Sequence, residues 1–388
     1  MTQQCTLCGK CLEVCPLLDA TGKEELAPRS KGQLARRLLA DPKELAEADV
    51  ARLAGLCLSC GRCREACPQQ RDTPAFVAEL RHAHPTFAIA LWKLWLTRAG
   101  LIWPGAALLA KALPEGLTPA RLGVALKGLR GLSGARRAEP FVAVAPNPAS
   151  PWRGREVLLF AGCGADYLSK RWKAAAVGLM DRLGMKRVDA DFGCCGSSLG
   201  SAGLSADLDA AARRNISAWR AAGRRPVAVF CASCLHGLGA YAGRPELFEG
   251  PDEAAAFAAA LTPLAACFHD ARFVLSDSAP ERVGYHRPCH MPAAKDPDRA
   301  LLTAALGPRL VRLTDACCGF GGVMQLAAPQ YSAAVAGRRW QRAATTAAGK
   351  PAPLPGLVLT GCTACVTQLA ATAPEGVVAA HWLDTMIP

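Results

Sequence analysis

A chain of 388 residues with 51% apolar content is long enough to bury a sizeable core and to divide into two or three domains. Its formal charge of +13 comes from Lys and Arg spread along the chain without an aromatic-rich basic module, which excludes nucleic acid as the expected partner. Nineteen cysteines exceed what packing needs, and the opening Met1-Thr2-Gln3-Gln4-Cys5 has no basic n-region, apolar h-region or twin arginine; a reducing cytoplasm is expected, with thiols acting as metal ligands.

In chain order, Cys5, Cys8, Cys11 and Cys15-Pro16 have gaps of two, two and three residues, and Cys57, Cys60, Cys63 and Cys67-Pro68 repeat the pattern without deviation. Two-residue gaps let three thiolates of one loop reach three corners of a cubane, while the fourth points elsewhere and, in two-cluster ferredoxins, ligates the other cluster. By that rule one cubane [4Fe–4S] cluster takes Cys5, Cys8, Cys11 and Cys67, and the other takes Cys15, Cys57, Cys60 and Cys63. A pair of zinc sites is the competing reading. Gly9 and Gly61 are expected to allow close backbone approach to sulfide. Between the runs, Lys31 to Leu56 reads as a helical insert with Leu34, Leu38, Leu39, Leu45 and Leu53 on buried faces. Residues 1–85 therefore predict an α-helical ferredoxin-like dicluster domain.

Residues 86–155 follow. Up to about Leu132 they are rich in Leu, Ala and Trp, punctuated by Lys93, Arg98, Pro104, Lys111 and Arg121. This predicts two or three amphipathic helices too interrupted to span a bilayer. Pro140, Pro146, Pro148 and Pro151 mark 133–155 as an irregular linker. Trp92, Trp95 and Trp103 with Lys93 and Arg98 suit either packing or a membrane interface.

Beyond the linker the pattern becomes α/β. Val157 to Phe160 reads as a strand before Cys163, a helix runs from about Tyr167 to Leu183, a short strand near Val188 leads to Cys194-Cys195, and Val227 to Phe230 leads to Cys231. The order recurs with Val283 to Tyr285 before Cys289, Leu310 to Leu313 before Cys317-Cys318, and Leu357 to Thr360 before Cys362. Residues 156–275 and 276–388 thus predict two similar Rossmann-like cysteine-rich repeats, whose parallel sheets gather the cysteines along a carboxyl edge.

The first set is Cys163, Cys194, Cys195, Cys231 and Cys234, and the second is Cys289, Cys317, Cys318, Cys362 and Cys365. Five soft ligands exceed what a tetrahedral zinc or an ordinary cubane uses, so an unusual cluster with a bridging thiolate is the sharper reading. Structural zinc with a spare cysteine, or a dithiol redox pair at Cys231/Cys234 or Cys362/Cys365, competes with it. Runs and sets account for every cysteine except Cys267, which reads as a buried or incidental thiol.

Cys194-Cys195-Gly196, Cys317-Cys318-Gly319-Phe320-Gly321-Gly322 and Tyr285-His286-Arg287-Pro288-Cys289-His290 resemble the cysteine-rich CCG domains of the heterodisulfide reductase family. The order of a dicluster domain and two such domains is also similar to the iron–sulfur subunits of glycolate oxidase, D-lactate dehydrogenase and anaerobic glycerol-3-phosphate dehydrogenase. The resemblance implies one or two non-cubane [4Fe–4S] clusters on the five-cysteine sets. Both sets are complete, and Arg287 stands where an acidic residue is common in that family.

No Gly-rich dinucleotide fingerprint, P-loop or Ser-His-Asp arrangement is apparent. The expected function is therefore an iron–sulfur subunit relaying electrons from a separate flavoprotein dehydrogenase (glycolate, D-lactate or glycerol-3-phosphate type) to quinone or another carrier. Its expected place is the cytoplasm, with peripheral contact at the cytoplasmic face of the inner membrane. A catalytic disulfide reductase and a zinc-stabilised docking module are the alternatives. His286 and His290 suit either hydrogen bonding near a cluster or a structural role, and His236, Asp191 and Asp315 suit caps or groups behind the ligands.

Overall fold

The computed structural model describes residues 5–387 apart from 42, 113–126, 134–137, 146–147, 293 and 346–348; Met1 to Gln4, Arg121 and Pro146 lie outside the described residues, as does the Leu39 side chain. The chain forms two compact units. The first comprises Met1–Arg98, Ser198–Asp207 and Ala316–Arg342, and the second comprises Ala99–Ser197, Leu208–Asp315 and Ala343–Pro388.

Among the described residues the first unit is helical. The expected insert is two helices, Pro28–Ala40 and Glu47–Gly55, and Leu34, Val50 and Ala54 pack with Leu80 of the helix Thr73–Ala83. That third helix starts where Asp72 accepts a hydrogen bond from the Ala75 amide and Pro74 occupies the first turn, both favourable N-terminal features. Thr86 caps Phe87–Thr97 in the same way through the Ile89 amide. A second core joins Cys15, Leu17, Leu26, Leu56 and Leu58 to Cys317, Met324 and Val335. Residues from the far end of the sequence therefore complete the dicluster domain. Arg338 and Arg342 both donate to Asp19, and despite its partial burial they hold this carboxyl below its ordinary value.

Among the described residues all strands lie in the second unit. Strand β1 (Val142–Val144) pairs parallel with the C-terminal Met386–Ile387 and antiparallel with Phe273–Leu275, giving a small mixed sheet. The stretch 133–155 is therefore not wholly irregular: three residues with buried ends form a strand too short, between prolines, to show a period.

The first repeat contributes β2 (Glu156–Phe160), β3 (Lys186–Val188), β4 (Val227–Val229) and β5 (Leu261–Pro263), all parallel, in the order β3-β2-β4-β5. With β6 (Phe273–Leu275) in the mixed sheet, the second repeat contributes β7 (Val283–Tyr285), β8 (Leu310–Arg312), β9 (Leu357–Thr360) and β10 (Val378–His381), also parallel, in the order β8-β7-β9-β10. The two orders are the same, so the repeat seen in the cysteines is a repeat of topology. Strands β4 and β9 are buried throughout, as central parallel strands with both faces covered should be.

The segment after residue 86 forms the helices Phe87–Thr97 and Ala99–Ala112, the latter running through Pro104. Trp92 and Trp103 point inward, whereas Phe87 is 83% and Leu101 80% exposed, so the most exposed large apolar residues there are Phe and Leu. No helix among the described residues is long and apolar enough to cross a membrane.

Candidate metal centres

None of the described cysteines forms a disulfide. In the helical unit the two runs have the same backbone: Leu7 and Gly9 in the first, and Ser59 and Gly61 in the second, all have positive φ, at 57°, 80°, 52° and 76°. Glycine takes this left-handed conformation at little cost, and Leu and Ser take it at about 1–3 kcal/mol each. A Cβ added at Gly9 or Gly61 would meet no protein atom within 4 Å, so handedness rather than crowding against protein calls for glycine at both places. Short helices, Lys10–Glu13 and Arg62–Glu65, begin directly after these glycines.

Two pockets result. Cys5, Cys8, Cys11 and Cys67, with Cys63, line one of them. Cys15, Cys57, Cys60 and Cys63 line the other. Burial pushes the Cys11 and Cys15 thiols up and that of Cys63 to about 12. Cys60 is raised by burial and then by Cys317, beside whose core it packs. Thiols must ionise to bind metal, so an iron–sulfur group held by these cysteines would displace their protons.

Sequence reasoning missed two buried cations beside the second run, because polar side chains in a helix carry no period. Arg81, 2% exposed, donates from Nε to the Ala54 carbonyl at 3.0 Å, from Nη2 to the Cys57 carbonyl at 2.8 Å, and from Nη1 to Ser59 Oγ at 3.2 Å and the Ser201 carbonyl at 2.6 Å. Lys31 is buried and donates to the Leu26 carbonyl at 2.5 Å. Burial pushes its ammonium below the ordinary value, while the nearby Cys57 and Cys15 thiols pull it back. Both cations are placed to offset anionic thiolates.

In the α/β unit all five cysteines of the first set come together. Cys163 is the second residue of the short helix Gly162–Tyr167 after β2, Cys194 and Cys195 follow β3, and Cys231 is the N-cap residue of the helix Ala232–Gly239 after β4, which carries Cys234. Their thiols form a row in which Cys163, Cys194, Cys195, Cys234 and Cys231 each lie in hydrogen-bond reach of the next. The row continues from Cys231 to Cys362 and Cys365 of the second set, a junction that the spacing did not reveal. Hydrogen bonds from Cys163 and Cys195 hold Cys194 well below its ordinary value, and those from Cys234 and Cys362 do the same for Cys231. Five clustered thiols, with no carboxylate or imidazole needed, fit an iron–sulfur group better than a four-coordinate zinc.

The loop bearing Cys194-Cys195 is fixed from behind. Asn215 donates to the Cys194 carbonyl at 2.9 Å and accepts from the Gly193 amide at 2.9 Å, while the Tyr241 hydroxyl donates to the Cys195 carbonyl at 2.7 Å. Gly196 has φ 71°, and an added Cβ would stand 2.8 Å from Leu208 Cδ1.

Of the second set, Cys289, Cys362 and Cys365 belong to the α/β unit, and Cys317 and Cys318 to the helical unit. Cys362 is the N-cap residue of the helix Thr363–Thr372, as Cys231 is of its own. His286 is buried, with a ring nitrogen within 4.8 Å of the Cys365 sulfur. His290 stacks on His236 with ring centroids 4.5 Å apart. Arg287 pairs with Asp315 at 3.2 Å, and Asp191 pairs with Arg214 at 2.9 Å, so both acids are engaged by cations. Cys267 is buried, and its thiol donates to the Pro263 carbonyl at 3.8 Å.

Residues 1–70 match the 4Fe-4S dicluster domain family, and residues 157–239 and 283–370 each match the Cysteine-rich domain family. The chain therefore carries one 4Fe-4S dicluster domain and two cysteine-rich domains. It is 26% identical over 378 residues to a subunit of the dihydromethanophenazine:CoB--CoM heterodisulfide reductase of Methanosarcina acetivorans, covering 88% of this chain and 83% of that protein. The corresponding protein of Methanosarcina mazei is 25% identical over 371 residues with the same coverage. The glycolate oxidase iron-sulfur subunit of Escherichia coli is 26% identical over 416 residues, covering 98% of this chain and 92% of that protein. These relatives are subunits of oxidoreductases, and the Escherichia coli one is an iron–sulfur subunit.

Proposed function

We propose that the chain is the iron–sulfur electron-transfer subunit of an oxidoreductase complex. It takes electrons from a flavoprotein dehydrogenase of the glycolate, D-lactate or glycerol-3-phosphate type and passes them toward quinone or another carrier, in the cytoplasm or peripherally at the membrane face. On this reading Cys5, Cys8, Cys11 and Cys67 hold one cubane [4Fe–4S] cluster, and Cys15, Cys57, Cys60 and Cys63 hold the other; the linings of the two pockets support that crossed assignment. Cys163, Cys194, Cys195, Cys231 and Cys234 hold a non-cubane cluster in the first repeat, and Cys289, Cys317, Cys318, Cys362 and Cys365 a second. The same reading takes 1–85 as the dicluster domain, 86–155 as a helical segment and linker, and 156–275 and 276–388 as Rossmann-like cysteine-rich domains.

The observation that carries the proposal is the unbroken row of thiols from Cys163 to Cys365, a chain of redox-capable ligands through the α/β unit. In the helical unit, Cys60 packs against the core that contains Cys317, which supports electron entry from the cubane pair. Anaerobically purified protein is expected to carry about sixteen iron atoms and as many labile sulfides per chain, four for each cluster. About eight iron atoms with zinc would instead favour a zinc-stabilised docking module. An anaerobic pull-down that recovers a flavoprotein identifies the donor, and recovery of only unrelated proteins counts against it.

The completeness of both five-cysteine sets favours one second reading, a catalytic disulfide reductase. Loaded protein given an artificial electron donor would then reduce a disulfide at a rate abolished in Cys317→Ser. Absence of turnover in the fully loaded wild type overturns that reading.

A further inference from the structure

The two repeats meet where Cys231 and Cys362 each occupy the N-cap position of a helix. The Thr363 amide donates to Cys231 Sγ at 3.4 Å, and its hydroxyl lies 3.5 Å from the same sulfur. Ser233 Oγ is 3.3 Å from Cys231 and 3.5 Å from Cys362. A metal-bound thiolate has no proton to give, so a hydroxyl beside it donates. The position in the first repeat that matches Thr363 is Ala232, which has no hydroxyl, and its amide is spent on the Gly361 carbonyl at 2.8 Å. Thr363 is also pinned from outside: a Cβ added at Gly164, next to Cys163, would collide with its methyl group and stand 3.0 Å from its hydroxyl.

We infer that Thr363 is a positioning residue that sets the electron affinity of the first five-cysteine site, reaching across from the second repeat to hydrogen-bond Cys231. The inference rests on the reading that Cys163, Cys194, Cys195, Cys231 and Cys234 hold an iron–sulfur group. Hydrogen bonds to cluster sulfur stabilise the more negative, reduced state and raise its potential. Neighbouring residues of the second repeat thus play different parts: Cys362 ligates its own site, while Thr363 tunes the other.

The test is an anaerobic redox titration of the loaded full-length chain, followed by electron paramagnetic resonance, for wild type, Thr363→Val and Thr363→Ser. In Thr363→Val one signal should move to lower potential, its reduced fraction at the wild-type midpoint falling at least about threefold, while the others stay in place. Thr363→Ser, which restores a hydroxyl, should return it. A fully loaded Thr363→Val with every signal at its wild-type potential, or with all signals shifted together, overturns the inference. Should Thr363→Val not retain iron, Thr363→Ala is read in the same way. If neither retains iron while Thr363→Ser does, the residue serves assembly and the inference is overturned. A wild type with only about eight iron atoms overturns the functional reading itself, whereas a fully loaded wild type unmoved by the substitution overturns this inference alone.

Discussion

Arg81 shows how much a single side chain contributes to the helical unit. Its four hydrogen bonds satisfy the carbonyls of Ala54, Cys57 and Ser201 and orient Ser59, one of the left-handed residues of the second run. Arg81→Ala leaves those groups without their donor. Since hydrogen bonds to charged groups contribute about 1.5–3 kcal/mol each, the unfolding free energy should fall by at least about 3 kcal/mol. Urea unfolding under anaerobic conditions measures the fall, and iron should be lost from the Cys57 pocket before the Cys5 pocket. His381 makes a different prediction. It is fully buried between Trp172 and Phe230, its Nδ1 accepts from the Leu383 amide, and burial depresses its pKa to about 4 from an ordinary 6.5. The unfolded chain therefore binds the proton more readily. The neutral ring's contribution is complete above the unfolded pKa and is lost as pH falls from about 6.5 toward 4, on the order of 3 kcal/mol. Thermal unfolding across that range should fall less steeply in His381→Gln than in wild type.

At the scale of elements, the turn that carries Cys194-Cys195-Gly196 combines a left-handed glycine with close packing by Leu208 and Ala211. Gly196→Ala adds both backbone strain and a clash, together about 2–4 kcal/mol. Iron bound by the first set should drop while the ferredoxin-type signals persist. Strands β2, β4 and β9 were legible because each is rich in β-branched or aliphatic residues and stands two or three positions before a cysteine. Strands β1, β5, β6, β10 and the C-terminal pair were not. Pro263 ends β5, alanines fill the middle of β10, and prolines flank β1; β5 and β10 are edge strands, where weak β-formers and proline are tolerated. That the five thiols of the first set gather was likewise legible, from their positions after strands. Their neighbours were not, because Thr363, Ser233, Lys31 and Arg81 become part of a site only when the fold brings distant segments together.

For the molecule as a whole, the helical unit is discontinuous. Its N-terminal stretch is completed by Ser198–Asp207 and Ala316–Arg342, and Arg338 and Arg342 fasten the last of these to Asp19. A fragment that stops at Arg98 should therefore be less stable and bind less iron than the same residues in the full chain, as iron analysis and circular dichroism of the two would show. The same discontinuity bears on synthesis. Residue 98 leaves the ribosome long before residue 342, and at about 5–20 residues per second the interval is roughly 12–50 s. For that time the nascent N-terminus exposes Leu17, Leu26 and Leu58 without their covering helix. Chaperone guarding and delayed delivery of iron are thus demands that the order of translation imposes on the cell.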